Sequence, residues 1–139
     1  MSSLLRGGDK VLVPNNGFFG RRMGKVAQDW GMEVITIEAP IDRPLDPQAI
    51  RRRLAAEPDV QAVIVVHLET STGVLNPLRE IAAVTNEFGV PIIADAVSSL
   101  GGVPLLVDEW GIAICVTVIN KCLGCPPGVA PISISRRAW

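Results

Sequence analysis

The sequence predicts an α/β fold built on a mostly parallel sheet. Short apolar, β-branched runs alternate with stretches of helical periodicity, and the helical stretches carry their own start and stop signals. The chain has 139 residues, 48% hydrophobic and only 19% charged. That is enough apolar material for one domain with a sizeable core, or for a piece of a larger one.

"KVLVP" (10–14) reads as the first strand. Phe19, Met23, Val26, Ala27 and Trp30 then recur at helical spacing, which predicts an amphipathic helix over 18–30, stopped by Gly31. "MEVITIE" (32–38) is the second strand, and the proline- and aspartate-bearing residues 39–46 form a loop. Asp46 is a natural N-cap with Pro47 at the first helical position, and Pro58 closes that helix. "VQAVIVVH" (60–67) is a buried strand and "ETSTG" (69–73) a small polar loop. In residues 76–89, Asn76 caps, Pro77 opens, Leu78, Ile81, Ala82, Thr85 and Phe88 line one face, and Gly89 stops the helix. "VPIIAD" (90–95), "AICVTVI" (113–119) and "VAPISIS" (129–135) are further strands. No helix separates the last two, so one of them can run antiparallel. There is no internal repeat, low-complexity tract or domain linker.

Composition excludes several functions. A formal net charge of −1 gives no electrostatic footprint for nucleic acid or an anionic membrane. Arg51, Arg52 and Arg53 read as the solvated face of a helix. No apolar run has the length of a membrane span. The first ten residues lack a secretory apolar core. Three cysteines, an odd number, fit a reducing, cytoplasmic compartment better than a disulfide framework. Cys122 and Cys125 have no second pair and only one histidine, His67, to complete a metal site, so no metal is expected. His67 reads as a satisfied strand-end residue. Glu69 reads as a loop or helix-capping residue rather than a general acid. "GFFG" (17–20) sits between a strand and a helix as a nucleotide loop would, but lacks the full glycine fingerprint.

In an open α/β sheet, ligands bind beyond the carboxyl ends of the strands. Three polar features fall at such ends: Thr70, Ser71 and Thr72 after the strand 60–67, Asp95 ending the strand 90–95, and Asn120 with Lys121 after the strand 113–119. Parallel pairing brings them to one edge. Two readings are open there. A buried lysine beside a buried carboxylate can form a structural ion pair. Alternatively, a desolvated lysine with a lowered pKa can attack a carbonyl, with the aspartate holding a protonated ring nitrogen as pyridoxal phosphate requires.

At this point the chain resembles the class V aminotransferases of the fold-type I pyridoxal-phosphate enzymes. The carriers are "HLETSTGVLNPL" (67–78), "ADAVSSLGG" (94–102) and "NKCLGCPPG" (120–128), with 26 positions from Asp95 to Lys121. The resemblance implies a three-layer α/β/α large domain, incomplete here, with pyridoxal 5'-phosphate as cofactor. It implies transfer of an amino group from an amino donor to a small 2-oxo acid such as glyoxylate or pyruvate. Lys121 matches the lysine that binds the cofactor covalently and moves the substrate proton. Asp95 matches the partner of the ring nitrogen, Val97 the small apolar residue on one ring face, Thr70 a hydroxyl near the ring oxygen, and Asn120 a residue near the phosphate. The resemblance also implies a homodimer or a higher homo-oligomer.

Two positions depart from the family pattern: Val118 where a small residue is usual, and Ala113 where many relatives have aspartate. In relatives, an upstream segment supplies a phosphate loop and an aromatic ring stacked on the cofactor, and a downstream domain supplies an arginine. None of these is expected from this chain, which therefore reads as the central part of the large domain. The alternative function is a truncated, catalytically impaired remnant that acts as a folded or partner-binding domain. The motif wording favours an aminotransferase over a desulfurase or lyase of the same fold.

Overall fold

A computed structural model describes residues 4–139. The elements in chain order are β1 (Lys10–Asn15), α1 (Phe18–Asp29), β2 (Glu33–Glu38), α2 (Pro47–Ala56), β3 (Val60–Val66), β4 (Leu68–Glu69), β5 (Val74–Leu75), α3 (Leu78–Glu87), β6 (Ile92–Asp95), β7 (Ile114–Val116) and β8 (Ile132–Ile134). Six strands form one sheet in the order β2-β1-β3-β6-β7-β8. All pairs are parallel except β7 with β8, where the direct connection without a helix reverses the chain. β4 and β5 form a separate small hairpin.

Strand alternation gives the sheet two apolar faces. Leu12, Val63, Val65, Ile92 and Cys115 point to one, where Ile50 and Leu54 of α2 and Leu78 and Ile81 of α3 cover them. Val11, Val13, Ala62, Ile64, Ile93 and Ile114 point to the other, where α1 brings Ala27 and Met23. The result is the expected α/β/α layering.

The helix ends follow their sequence signals. Asp46 accepts the Gln48 N–H at 2.9 Å with Pro47 in the first turn. Gly31 and Gly89 both have positive φ, at 78° and 69°. Each closes its helix with a paired bond set: Gly31 N to Gln28 O with Met32 N to Ala27 O, and Gly89 N to Asn86 O with Val90 N to Thr85 O. The residues just before these glycines lie at the helix ends, outside the buried stripe, so Trp30 and Phe88 are exposed rather than core.

Three other expectations are corrected. Residues 69–73 are not a plain loop; they join β4 to β5, and Glu69 belongs to β4. The last two strands are shorter than read, because Pro131 has no N–H with which to extend the ladder. Asn76 does not cap α3, which starts at Leu78 with no side-chain cap bond. Its buried amide joins three segments instead. It accepts from Asn16 Nδ2 at 2.9 Å and Leu45 N at 3.0 Å, and donates to Val66 O at 2.8 Å.

This difference is measurable. Losing a cap costs about 1 kcal/mol. Losing the Asn76 amide strands several buried groups, each costing about 1–3 kcal/mol. Asn76→Ala should therefore lower unfolding free energy in urea by about 3 kcal/mol or more, and a loss near 1 kcal/mol would show that the network carries little.

Candidate functional site

The register of the parallel strands fixes the edge of interest. Val66, Asp95 and Val116 are direct partners across β3, β6 and β7. The chain leaves all three strands at the same level. The segments that follow close over a cavity of about 170 Å³ lined by Phe19, Val66, Leu68, Thr70, Asp95, Val97, Ser98 and Lys121. Four of the five sequence-predicted residues thus meet in one cavity. The fifth, Asn120, is exposed and does not line it.

Asp95 is half-buried at the cavity wall. Its Oδ1 accepts the Val97 N–H at 2.9 Å, and no hydrogen bond reaches its other oxygen among the described residues. Burial pushes its carboxyl above the usual range. The Val97 N–H pulls it back in part, and the Glu69 charge adds to the rise. Thr70 Oγ1 lies 3.2 Å from Ser98 Oγ, which ties the segment after β3 to the turn after β6.

Lys121 is exposed, so the desolvation expected of it is not provided by the described residues. No ion pair joins it to Asp95 although both line the cavity, which removes the structural ion-pair reading. The chain's other lysines are engaged elsewhere. Lys10 contacts Asp59 at 2.7 Å and Glu57 at 3.3 Å, and Lys25 pairs with Asp29. The hydrogen bond that Lys10 donates to the Asp59 carboxylate, against some burial, raises Lys10 well above the ordinary ammonium range.

The glycines of "ADAVSSLGG" have a steric task. A Cβ on Gly102 would meet Cys122 Sγ at 2.8 Å, and one on Gly101 would meet Leu123 Cδ2 at 2.7 Å. The Lys121 loop therefore rests directly on the turn after Asp95, with Cys122 Sγ also contacting Ser98 O at 3.4 Å. Val118 is half-buried and does not line the cavity. Ala113 is buried among apolar residues.

Phe19 is the residue the sequence reading missed. An aromatic wall was expected only from outside the chain, yet Phe19 lines the cavity from the first turn of α1. Its place after a strand's carboxyl end was the available signal. The same region shows why "GFFG" is not an open anion site. The helix N-terminus is already filled by a protein anion: Glu69 accepts from Gly20 N at 2.9 Å and Phe19 N at 3.3 Å, while Phe18 N donates to Ser71 Oγ at 2.9 Å. Burial pushes the Glu69 carboxyl up, but the Ser71 hydroxyl and the N–H groups of Gly20, Phe19 and Ser71 outweigh it and hold it below its usual range. Glu69 is thus a helix-capping residue. His67 is a satisfied strand-end residue, with Nδ1 3.0 Å from Ser99 Oγ; burial lowers its pKa.

A larger trench of about 340 Å³ lies on the α1 face of the sheet. It is walled by Ile64, Ile93, Ile114 and Ile134, which pair in register, and shares only Asp95 and Val97 with the polar cavity. It has no catalytic chemistry of its own. No group of metal-binding side chains exists among the described residues, and no helix there is long and apolar enough to cross a membrane.

The cavity fits a planar ring cofactor. It has an apolar wall on Phe19 and Val97, a carboxylate with an unused oxygen, a hydroxyl and a primary amine. At about 170 Å³ it is smaller than the roughly 300–1,000 Å³ of most small-molecule sites.

The family model "Aminotransferase class-V" matches residues 1–139. An uncharacterized aminotransferase of Methanocaldococcus jannaschii is 41% identical over 139 residues, covering 100% of this chain and 36% of the relative. The pyridoxamine–pyruvate transaminase of Mesorhizobium japonicum is 38% identical, covering 99% of this chain and 35% of the relative. The crystal structure of an alanine–glyoxylate aminotransferase from Nostoc sp. superposes with a TM-score of 0.92 at 36% identity, covering 99% of this chain and 36% of that one. The chain spans about a third of the length of the curated relatives it matches.

Asp95 gives a pH test in the unliganded chain. Its raised carboxyl pKa means the native state binds the proton more tightly than the unfolded state does. Stability therefore falls as pH rises from the unfolded pKa to the folded one, and the penalty is complete above that. Asp95→Asn should be more resistant to urea than the parent at pH 7, with the advantage shrinking toward pH 4. An advantage that is absent at pH 7, or unchanged by pH, would contradict the assignment.

Proposed function

The chain belongs to the class V aminotransferase family, and on that footing we propose that it forms the cofactor-holding part of a pyridoxal-phosphate-dependent aminotransferase. The proposed reaction moves an amino group from a small amino donor to a 2-oxo acid such as glyoxylate or pyruvate. The observation that carries this is the meeting of Asp95, Val97, Thr70 and Lys121 with Phe19 around one cavity, without an ion pair between Asp95 and Lys121. The names of the Mesorhizobium and Nostoc proteins support the acceptor class.

Bound here, pyridoxal phosphate supplies an electron sink for bond changes at the donor's α-carbon. The oxygen of Asp95 that accepts no hydrogen bond would hold a proton on the ring nitrogen. Phe19 and Val97 would hold the ring by its apolar surface and exclude water there. The Thr70 hydroxyl would be a donor for the ring oxygen. Lys121 Nζ, the primary amine of the cavity, would hold the cofactor and move the proton at the reacting carbon. Asn120, exposed and outside the cavity, would serve near the phosphate. The exposure of Lys121 favours a second reading, in which the chain holds the cofactor but turns over slowly by itself.

We further propose that the chain is the central part of the large domain, that it works in the cytoplasm, and that it assembles as a homodimer or a higher homo-oligomer. The apolar trench, the exposed Val129 before β8 and the exposed Ile132 at its start support association.

Borohydride reduction with pyridoxal phosphate, followed by peptide mapping, tests the site. The label should fall on Lys121 in preference to Lys10 and Lys25, and Lys121→Ala should lose the visible absorption band. Asp95→Asn should weaken cofactor binding roughly tenfold or more, since a charged hydrogen bond contributes about 1.5–3 kcal/mol. Label spread evenly over the three lysines would sink the assignment.

A further inference from the structure

We propose that Glu69 is a positioning residue of the site: its buried carboxylate stands in for an external anion at the N-terminus of α1 and so holds the Phe19 ring as a wall of the cavity. This rests on the cofactor reading above for its consequence, but not for its geometry. Helix α1 is preceded by Gly17 at the N-cap, which has no side chain to cap the orphan N–H groups of the first turn. Glu69 supplies that cap from fifty positions away, accepting from Phe19 N and Gly20 N. The cap is fully enclosed, with Glu69 0% exposed.

Everything around the carboxylate is arranged for close approach. A Cβ on Gly17 would meet Glu69 Cγ at 2.4 Å, and one on Gly20 would meet Asn15 Cβ at 2.5 Å. The Glu69 backbone is fixed as well. Its carbonyl accepts from Thr72 N at 3.1 Å and Gly73 N at 2.8 Å, the latter at a residue with φ of 75°. Ser71 adds its own N–H at 3.2 Å and its hydroxyl to the same carboxylate.

The next residue, Thr70, lines the cavity, and so does Phe19, whose N–H Glu69 holds. Glu69 itself does not line it. One carboxylate therefore locks two walls of the site together without facing the reacting atoms, which assigns it to positioning rather than proton transfer.

The test uses the full chain with 4-fluorophenylalanine at its three phenylalanines, with Phe19 assigned through Phe19→Leu. Without cofactor, Glu69→Gln should move the Phe19 fluorine resonance toward that of the free amino acid and leave Phe88 in place. An amide nitrogen cannot accept the bonds the carboxylate oxygen accepts. Ser71→Ala, a milder change, should shift the same resonance less and provides the readout if Glu69→Gln does not fold.

With pyridoxal phosphate, Glu69→Gln should raise the apparent Kd about tenfold, or ~1.4 kcal/mol. Adding it to Phe19→Leu should cost less than about twofold more, because one residue acts through the other. An unmoved Phe19 resonance, or additive losses, overturns the proposal. A parent chain that binds no pyridoxal phosphate while the Phe19 resonance still responds to Glu69→Gln overturns the cofactor reading and supports the positioning role.

Discussion

Parallel pairing of β3, β6 and β7 sets Val66, Asp95 and Val116 side by side, and the site depends on that register. A slip of one residue would turn Asp95 to the other face of the sheet. The register is held from both sides by apolar rows. Ile64, Ile93 and Ile114 pack on the α1 face, and Val63, Val65 and Cys115 on the face under α2 and α3. Burial on both faces makes the alternatives costly, so a carboxylate can end a central strand and still point where a ligand can reach it.

Close packing at the strand ends turns this line of residues into a cavity. Gly101 and Gly102 let the Lys121 loop lie on the turn after Asp95. Gly17 lets Glu69 reach the start of α1. The Asn76 amide joins the loop before α2 to the end of β3. These contacts are polar or sterically narrow, and each positions a segment that has no regular ladder of its own. Asp95 bears the cost. Its burial and the nearby Glu69 charge work against its ionised form, the form that would hold a ring-nitrogen proton.

Much of this was legible in the sequence. The strand and helix order, the Asp46 cap and the Gly31 and Gly89 stops are local signals, and local hydrogen bonding realises them. Asp95, Thr70 and Lys121 could be placed because they fall at the ends of strands that share one edge, and Val97 was added by the family resemblance. The misses were residues whose role is set by distant partners. Asn76 looks like a cap from its neighbours, but its partners are Asn16, Leu45 and Val66. Phe19 looked like one member of a helix stripe, and its place in the cavity depends on Glu69, far away in sequence. Trp30 fitted the helical spacing but lies at the helix end, exposed. Periodicity describes a face; it does not say where the helix stops.

The central claim is that one strand-edge cavity, and not the larger apolar trench, receives the cofactor. Amide chemical-shift mapping during titration with pyridoxal phosphate tests it most directly. The account predicts that perturbed amides cluster at Phe19 and Gly20, at Thr70, at Val97 and Ser98, and at Lys121 and Cys122. Perturbations centred on Ile93, Ile114 and Ile132 in the trench, with the strand-end amides unchanged, would contradict it.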